Sequence, residues 1–285
     1  MKTILYSIIA MLICGFLFMG FINPASINKT ILIQSVDKQA SSVSLTRSAD
    51  IITNRLKALS AEKFDLTVIP GKNQIKVNLE GDWDLNTVEI LLTKKGKLEF
   101  YATYNHQQLS ELLKGDNHLF SLLNAQDAKS TEKIVGCVPV EDHDKVNDYL
   151  KTLGLSEKCR FAWEQLPSIP QACLYALQLE NRKSAPFTGA DIESAHLSHL
   201  QNSKPSISMS FKKTAIPLWA DFTKRNMDNT IVILLDDNVI YSPTVMSVIE
   251  NGNCIFTGNP TEMQTKLLVL FINSGELPIS FEVVK

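Results

Sequence analysis

Asp236 and Asp237, followed by Asn238, come nearest in this sequence to a catalytic carboxylate pair. Their setting between two β-branched runs points instead to a hairpin turn, because Asp and Asn tolerate the positive φ that such a turn demands. His196 and His199 are three apart with Asp191 and Glu193 nearby. On a helix that pair would share a face able to hold a metal, but no third or fourth ligand can be named. Glu141-Asp142-His143-Asp144 would attract a cation, yet it lacks the glycine and distal glutamate of a calcium loop. It reads as the acidic start of the helix that follows, which it caps. Gly71-Lys72 lacks the preceding glycine and the following Ser or Thr of a nucleotide loop, and no Gly-x-Ser-x-Gly elbow occurs. Trp83, Trp163 and Trp219 could stack on an extended peptide, although Trp219 reads as core. No catalytic, cofactor-binding or metal-ligating residue is assigned, no cofactor is expected, and the reading is non-enzymatic.

The chain has 285 residues, 45% of them apolar, with a formal charge of −2. That is enough for one large or two ordinary domains with real cores. Lys and Arg are scattered, so nucleic acid is not an expected partner. Cys137, Cys159, Cys173 and Cys254 follow the leading segment. A bridge within the trio Cys137, Cys159 and Cys173, leaving one thiol over, is the preferred pairing, with buried unpaired thiols as the alternative. Their spacing is too loose for a zinc ribbon.

After Met1-Lys2-Thr3, the run Ile4 to Ile22 is apolar and ends at Asn23-Pro24. As a helix it spans roughly 28 Å, close to the hydrocarbon thickness of a bilayer. The α-amino group and Lys2 place its start in the cytoplasm and the remainder outside. A signal-anchor is preferred over a cleaved signal peptide because the run is longer than a usual signal core. Lipidation at Cys14 is disfavoured by the bulky Ile13 before it.

Period-two alternation gives strands at Ile31 to Ile33, Phe64 to Ile69, Gln74 to Leu79 and Lys97 to Ala102, with a turn at Pro70-Gly71-Lys72-Asn73. Helical spacing of Val43, Ile51, Ile52, Leu56 and Leu59 predicts a helix from Ser44 to Leu59. A second runs from Asp84 to Leu92, capped by Asp82 or Asp84. The order strand, helix, strand, strand, helix, strand suggests helices on one face of a mixed sheet closed by Lys97 to Ala102. Further on, helices are expected at Gln107 to Leu113, Leu119 to Leu123 and Asp144 to Leu153, and strands at Lys133 to Val138, Arg160 to Glu164 and Ala172 to Gln178. A helix begins near Thr214, with Ile216, Trp219 and Phe222 on one side. The last helix is expected to start from Asn259 as cap, with Pro260 in its first turn and Glu262 completing a capping box. Gly275 would end it in the left-handed conformation, before a strand over Ile279 to Val284.

The ordered set Phe187-Thr188-Gly189-Ala190-Asp191-Ile192, the hairpin Leu234 to Pro243, Phe256-Thr257-Gly258-Asn259-Pro260-Thr261-Glu262 and Gly275-Glu276-Leu277-Pro278 resembles the first periplasmic domain of SecD, the Sec translocase subunit. Arg55-Leu56, the hairpin residues Gly71, Ile75, Val77, Leu79 and Gly81, and Leu98-Glu99-Phe100 resemble its base part. Leu79-Glu80-Gly81 stands where the family usually has Leu-Pro-Gly, and Asn54-Arg55 where it has paired arginines, which marks a distant relative. Between Asn105 and Arg182 the resemblance fades.

The resemblance implies an α+β fold with mixed or antiparallel sheets and helices on one face, a ferredoxin-like base plus a head subdomain, behind one N-terminal transmembrane helix. The division implied is a membrane anchor or signal over 1–24, a base over 28–104, an insertion over 105–182 and a head over 183–285. It also implies an accessory role in protein translocation, with unfolded or translocating polypeptide and Sec translocase subunits as partners. The location implied is the bacterial inner membrane, single-pass through Ile4 to Ile22, with the bulk periplasmic. In the family, work comes from a proton gradient acting through several membrane helices. Ile4 to Ile22 contains neither Asp nor Glu, so the expectation is the external polypeptide-handling part without that engine. The alternative is a structural or envelope-assembly module whose partner is held by the insertion.

Overall fold

A computed structural model describes residues 28–60, 62–125, 129, 133–165, 170–180, 184–199, 205–257 and 261–284. Ile4 to Ile22 lies outside them; among the described residues no helix is long and apolar enough to cross a membrane.

Strands β1 (Asn28–Ser35), β2 (Lys63–Ile69) and β3 (Gln74–Glu80) pair antiparallel. The β2–β3 turn works as its residues demand: Pro70 opens it and Asn73 takes φ 52°. Over this sheet lie α1 (Ser42–Leu59), capped by Ser41, and α2 (Leu85–Thr93), capped by Asp84. Leu45, Ile52, Leu56, Val88 and Leu91 enter one core with Ile33, Ile75 and Val77, while Val43 stays exposed. The expected strand at Lys97 to Ala102 forms as β4 (Leu98–Ala102) but does not close this sheet. All five of its residues are buried, which suits the interior of a covered sheet. The place beside β1 goes to the C-terminal strand β14 (Phe281–Val283), so the four-stranded order is β14-β1-β3-β2 and every ladder is antiparallel.

β4 belongs to a seven-stranded sheet. The other members are β5 (Ile134–Pro139), β6 (Cys159–Gln165), β7 (Gln171–Gln178), β8 (Phe187–Thr188), β11 (Ile231–Leu235) and β12 (Asn238–Tyr241), in the order β5-β7-β6-β12-β11-β4-β8. The β5-β7-β6 end carries α3 (His106–Leu112), α4 (His118–Leu122) and α5 (His143–Thr152), and with them forms its own core around Leu109, Leu119, Val135, Val146 and Leu174. Cys137 and Cys173, directly opposed across β5 and β7, form a disulfide. That is a pairing from the expected trio, and Cys159 is the thiol left over.

A three-stranded sheet completes the molecule: β9 (Ile192–His199), β10 (Pro205–Phe211) and β13 (Asn253–Thr257), in the order β13-β10-β9. It shares a core with α6 (Ile216–Arg225) and α7 (Glu262–Ser274), where Trp219 packs among Phe100, Phe187, Phe211 and Phe222. The start of α7 differs from expectation. Thr261 is the cap and Gln264 its capping-box partner, whereas Glu262 is already helical and pairs with Lys266. Asn259 and Pro260 lie outside the described residues. The Thr261-x-x-Gln264 box satisfies two orphan helix-end donors reciprocally.

Candidate functional site

Helix α7 is apolar on two faces, and that decides how the molecule is joined. Leu268 and Ile272 enter the core beneath the three-stranded sheet, whereas Leu270 and Phe271 enter the core of the four-stranded one. Gly275 then ends the helix with φ 84° and ψ 176°, a positive-φ state but not the left-handed helical one expected. The chain returns through fully buried Leu277 to β14.

Beneath that turn sits Arg55, with 0% of its surface exposed. Its Nε donates to Ser274 Oγ at 3.2 Å, and its terminal nitrogens donate to the carbonyls of Leu91, Lys94, Lys95 and Gly275 at 2.7–3.0 Å. All five N–H donors are used, the guanidinium lies 4.7 Å from the Phe271 ring centroid, and two helix C-termini point their carbonyls at it. Burial brings its pKa down to about 10, opposed by the Asp236 carboxylate, so it stays charged at neutral pH. Gly96 takes φ +78°, and a Cβ there would stand 2.7 Å from the guanidinium.

The Asp236–Asp237 turn is structural. Both residues have positive φ, and the Asp236 carboxylate accepts the Gly96 and Lys97 N–H groups at 3.1 and 2.8 Å. Asp237 pairs with Arg160 on β6. Arg160 also donates to buried Glu99 and to the Tyr101 hydroxyl, each at 3.0 Å, and Lys97 meets Glu99 at 3.0 Å. Burial pushes the Glu99 carboxyl up, but the hydrogen bonds and charges of Lys97 and Arg160 outweigh it and hold it below its ordinary 4.5.

Between α1 and the β9 edge, with α7 as its floor, runs an open groove of about 610 Å³. Leu59, Leu197, Met263, Leu267 and Leu270 give it apolar walls, and Met263 is 53% exposed. Asn273 shows which way the β9 backbone faces: its side-chain amide accepts from the Ala195 N–H at 2.9 Å and donates to the Ala195 carbonyl at 2.8 Å. That is the pair of bonds an added strand would make. Backbone direction alternates along an antiparallel strand, so Leu197, two residues on, also turns its N–H and C=O toward the groove. A larger hollow, about 930 Å³, lies at the far end of the four-stranded sheet, but Lys29, Lys57 and Lys63 alternate there with Glu62, Asp65 and Glu80 as a solvated face.

The remaining candidates separate. His196 and His199 lie on strand β9, not a helix, and an odd separation on a strand puts them on opposite faces. Asp142 occupies the position before α5 but makes no side-chain cap; a one-turn 3₁₀ segment, Val140–Asp142, runs straight into the helix instead. Trp83, Trp163 and Trp219 are all buried, so none offers a peptide-stacking surface. Among the described residues no three or more His, Cys, Asp or Glu gather as a metal site. Burial pushes the thiols of Cys159 and Cys254 up to about 12, far from thiolate chemistry.

This arrangement is similar to the periplasmic part of SecD-type proteins: residues 174–279 match the SecDF P1 head subdomain family. The SecD subunit of the protein translocase from Acidaminococcus fermentans is 34% identical over 99 residues, which are 35% of this chain and 24% of that one. That from Rickettsia prowazekii is 30% identical over 104 residues, 36% of this chain and 20% of its own length. The match thus spans about a quarter or less of these relatives. Two solved SecDF structures share the fold at 17% identity. One, in a super-membrane-facing form, has a TM-score of 0.61 over 92% of this chain and 30% of its own. The other, described as a membrane component that enhances protein export, has a TM-score of 0.56 over 90% of this chain and 98% of its own.

Proposed function

We propose that this is a non-enzymatic accessory of protein translocation that holds extended polypeptide in the groove between α1 and β9 on the periplasmic side of the inner membrane. The match of residues 174–279 to the SecDF P1 head carries the reading. Leu197 supplies the means: an edge backbone makes sequence-independent hydrogen bonds, and apolar walls hold alternate side chains. Ile4 to Ile22 anchors the chain, Sec translocase subunits are its neighbours, and the working parts are a base over 28–104, an insertion over 105–182 and a head over 183–285.

The test is fluorescence anisotropy of a labelled, unfolded exported protein titrated with the full chain. Leu197→Asp and Met263→Asp are expected to weaken binding about tenfold or more each. Equal affinity for wild type and both variants, with no crosslink to translocase subunits in cells, removes the reading. A second reading, an envelope-assembly module whose partner docks on the insertion, is favoured by one observation: the insertion has its own core and its own disulfide. Deleting the insertion separates the two, since the first reading keeps polypeptide capture and the second loses its partner.

A further inference from the structure

Strand edges invite pairing with other chains, and proteins blunt them with charge, proline, brevity or a cover. The described edges show these devices in turn. β2 carries Lys63 and Asp65, β14 carries Glu282, β5 ends in Pro139, β8 has two residues, and β9 has the Asn273 amide over Ala195, which leaves only the backbone groups around Leu197 to the groove. β13, Asn253-Cys254-Ile255-Phe256-Thr257, carries no charge and no proline, and among the described residues no strand lies on its outer side.

β10 is the one strand paired with β13 among the described residues. The Phe211 N–H donates to the Gly252 carbonyl at 2.9 Å, which points Gly252 at β10. By alternation Cys254 and Phe256 also face β10, and Asn253, Ile255 and Thr257 turn their backbone groups outward. The Asn253 N–H confirms the direction, because it bonds its own neighbour Asn251 Oδ1 at 3.0 Å and not β10. Ile255 is 51% exposed.

We propose that the β13 edge pairs with the same edge of a second copy of this chain. Set antiparallel about a twofold axis at Ile255, the strand is self-complementary. Ile255 meets Ile255, Asn253 meets Thr257, and no charge is brought against its like. The outward groups then supply about four backbone hydrogen bonds even with the Asn253 N–H left on Asn251. A second copy suits this edge better than an unfolded polypeptide does. Its strand is already ordered, whereas a loose chain must be immobilised without the apolar walls that the β9 groove provides. Two three-stranded sheets become one of six strands.

The full chain in detergent micelles tests this. Ile255→Cys treated with a short bismaleimide is expected to give a crosslinked dimer about tenfold more abundant than Val43→Cys, a control at a distant exposed site carrying the same background thiols. Sedimentation velocity is expected to show two chains for wild type and one for Ile255→Lys and Thr257→Lys, each keeping the wild-type circular dichroism. A single chain for wild type, crosslinking no higher than the control, or capture of bound polypeptide in place of a second copy overturns the proposal.

Discussion

Two joints connect the described parts of this molecule, and they are built differently. The four-stranded and three-stranded parts share helix α7, whose opposite faces lie in different cores, and a fully buried arginine binds the loops around it. The β5-β7-β6 end meets the rest through a seam in which β6 and β12 pair parallel at one position, Trp163 with Asn238, Thr103 bridges Leu177, and Ala162, Tyr175 and Leu177 share a buried cluster with Tyr101, Val232 and Leu234. Arg160 fastens that seam, and it is a quarter exposed. A joint made by sharing a core cannot open without exposing two hydrophobic surfaces. The seam shares a smaller buried cluster, spans no common helix, and is rimmed by a salt-bridge cluster open to solvent, so it is expected to yield before the α7 joint does.

The largest break is expected from Arg55→Ala. It leaves the carbonyls of Leu91, Lys94, Lys95 and Gly275 without their donor, and such removals of a buried, fully bonded charge cost about 3–5 kcal/mol. Urea unfolding followed by tryptophan fluorescence is expected to show both sheets lost in one transition at a lower midpoint. Arg55→Lys should recover only part, since an ammonium has three donors and no fork. A loss below about 1 kcal/mol would mean the joint rests on α7 packing alone.

Reducing Cys137–Cys173 comes next and should stay local. A link between residues 36 apart contributes about 2–4 kcal/mol to the part it closes. Hydrogen exchange is expected to speed up in β5 and β7 while β1 and β3 keep their protection. Equal loss across all four strands would show that the seam transmits stability and that the two joints do not differ.

Local elements were legible because their causes are local. The Asp84 cap, the Pro70–Asn73 turn and the positive-φ Asp236–Asp237 turn all follow from side chains acting within a few residues. The resemblance singled out Arg55 and the Gly275-Glu276-Leu277-Pro278 run, but not why they belong together: Arg55 bonds the Gly275 carbonyl across 220 residues. Sequence did hold a sign, since a charged residue sits inside the apolar stripe Ile51, Ile52 and Leu56. The exchange of β4 for β14 was not legible, because alternation assigns a face and never a partner. The groove escaped for the same reason, being walled by Leu59, Leu197 and Met263 from three distant segments.

A smaller effect is expected from Glu99→Gln, which weakens the seam without emptying it. A hydrogen-bonded charge of this kind contributes about 1–3 kcal/mol. Lys97 and Arg160 hold the Glu99 pKa below its ordinary 4.5, so the folded state binds its proton less readily than the unfolded one. That contribution is fully present above about pH 4.5 and fades as the pH falls through the lowered value. Urea midpoints measured from pH 7 down to pH 3 should therefore fall less for Glu99→Gln than for wild type. Parallel curves would mean that other carboxylates govern the acid limb.

The smallest effect is expected from Asp237→Asn. The Asp237 side chain is 73% exposed, so solvent screens its pair with Arg160, and exposed pairs contribute about 0.2–1 kcal/mol. Asn keeps the positive φ of 69° at little cost, which leaves the charge as the one thing removed. Asp236→Asn probes the same turn differently. It weakens two bonds to backbone N–H groups of the Gly96–Lys97 loop, next to Arg55, and is expected to cost more than its exposed neighbour. Adding salt should erase the Asp237→Asn difference and leave most of the Asp236→Asn one. If both substitutions cost the same and respond alike to salt, the turn belongs wholly to the seam. If they separate, one hairpin turn serves both joints, Asp236 the buried one and Asp237 the exposed one.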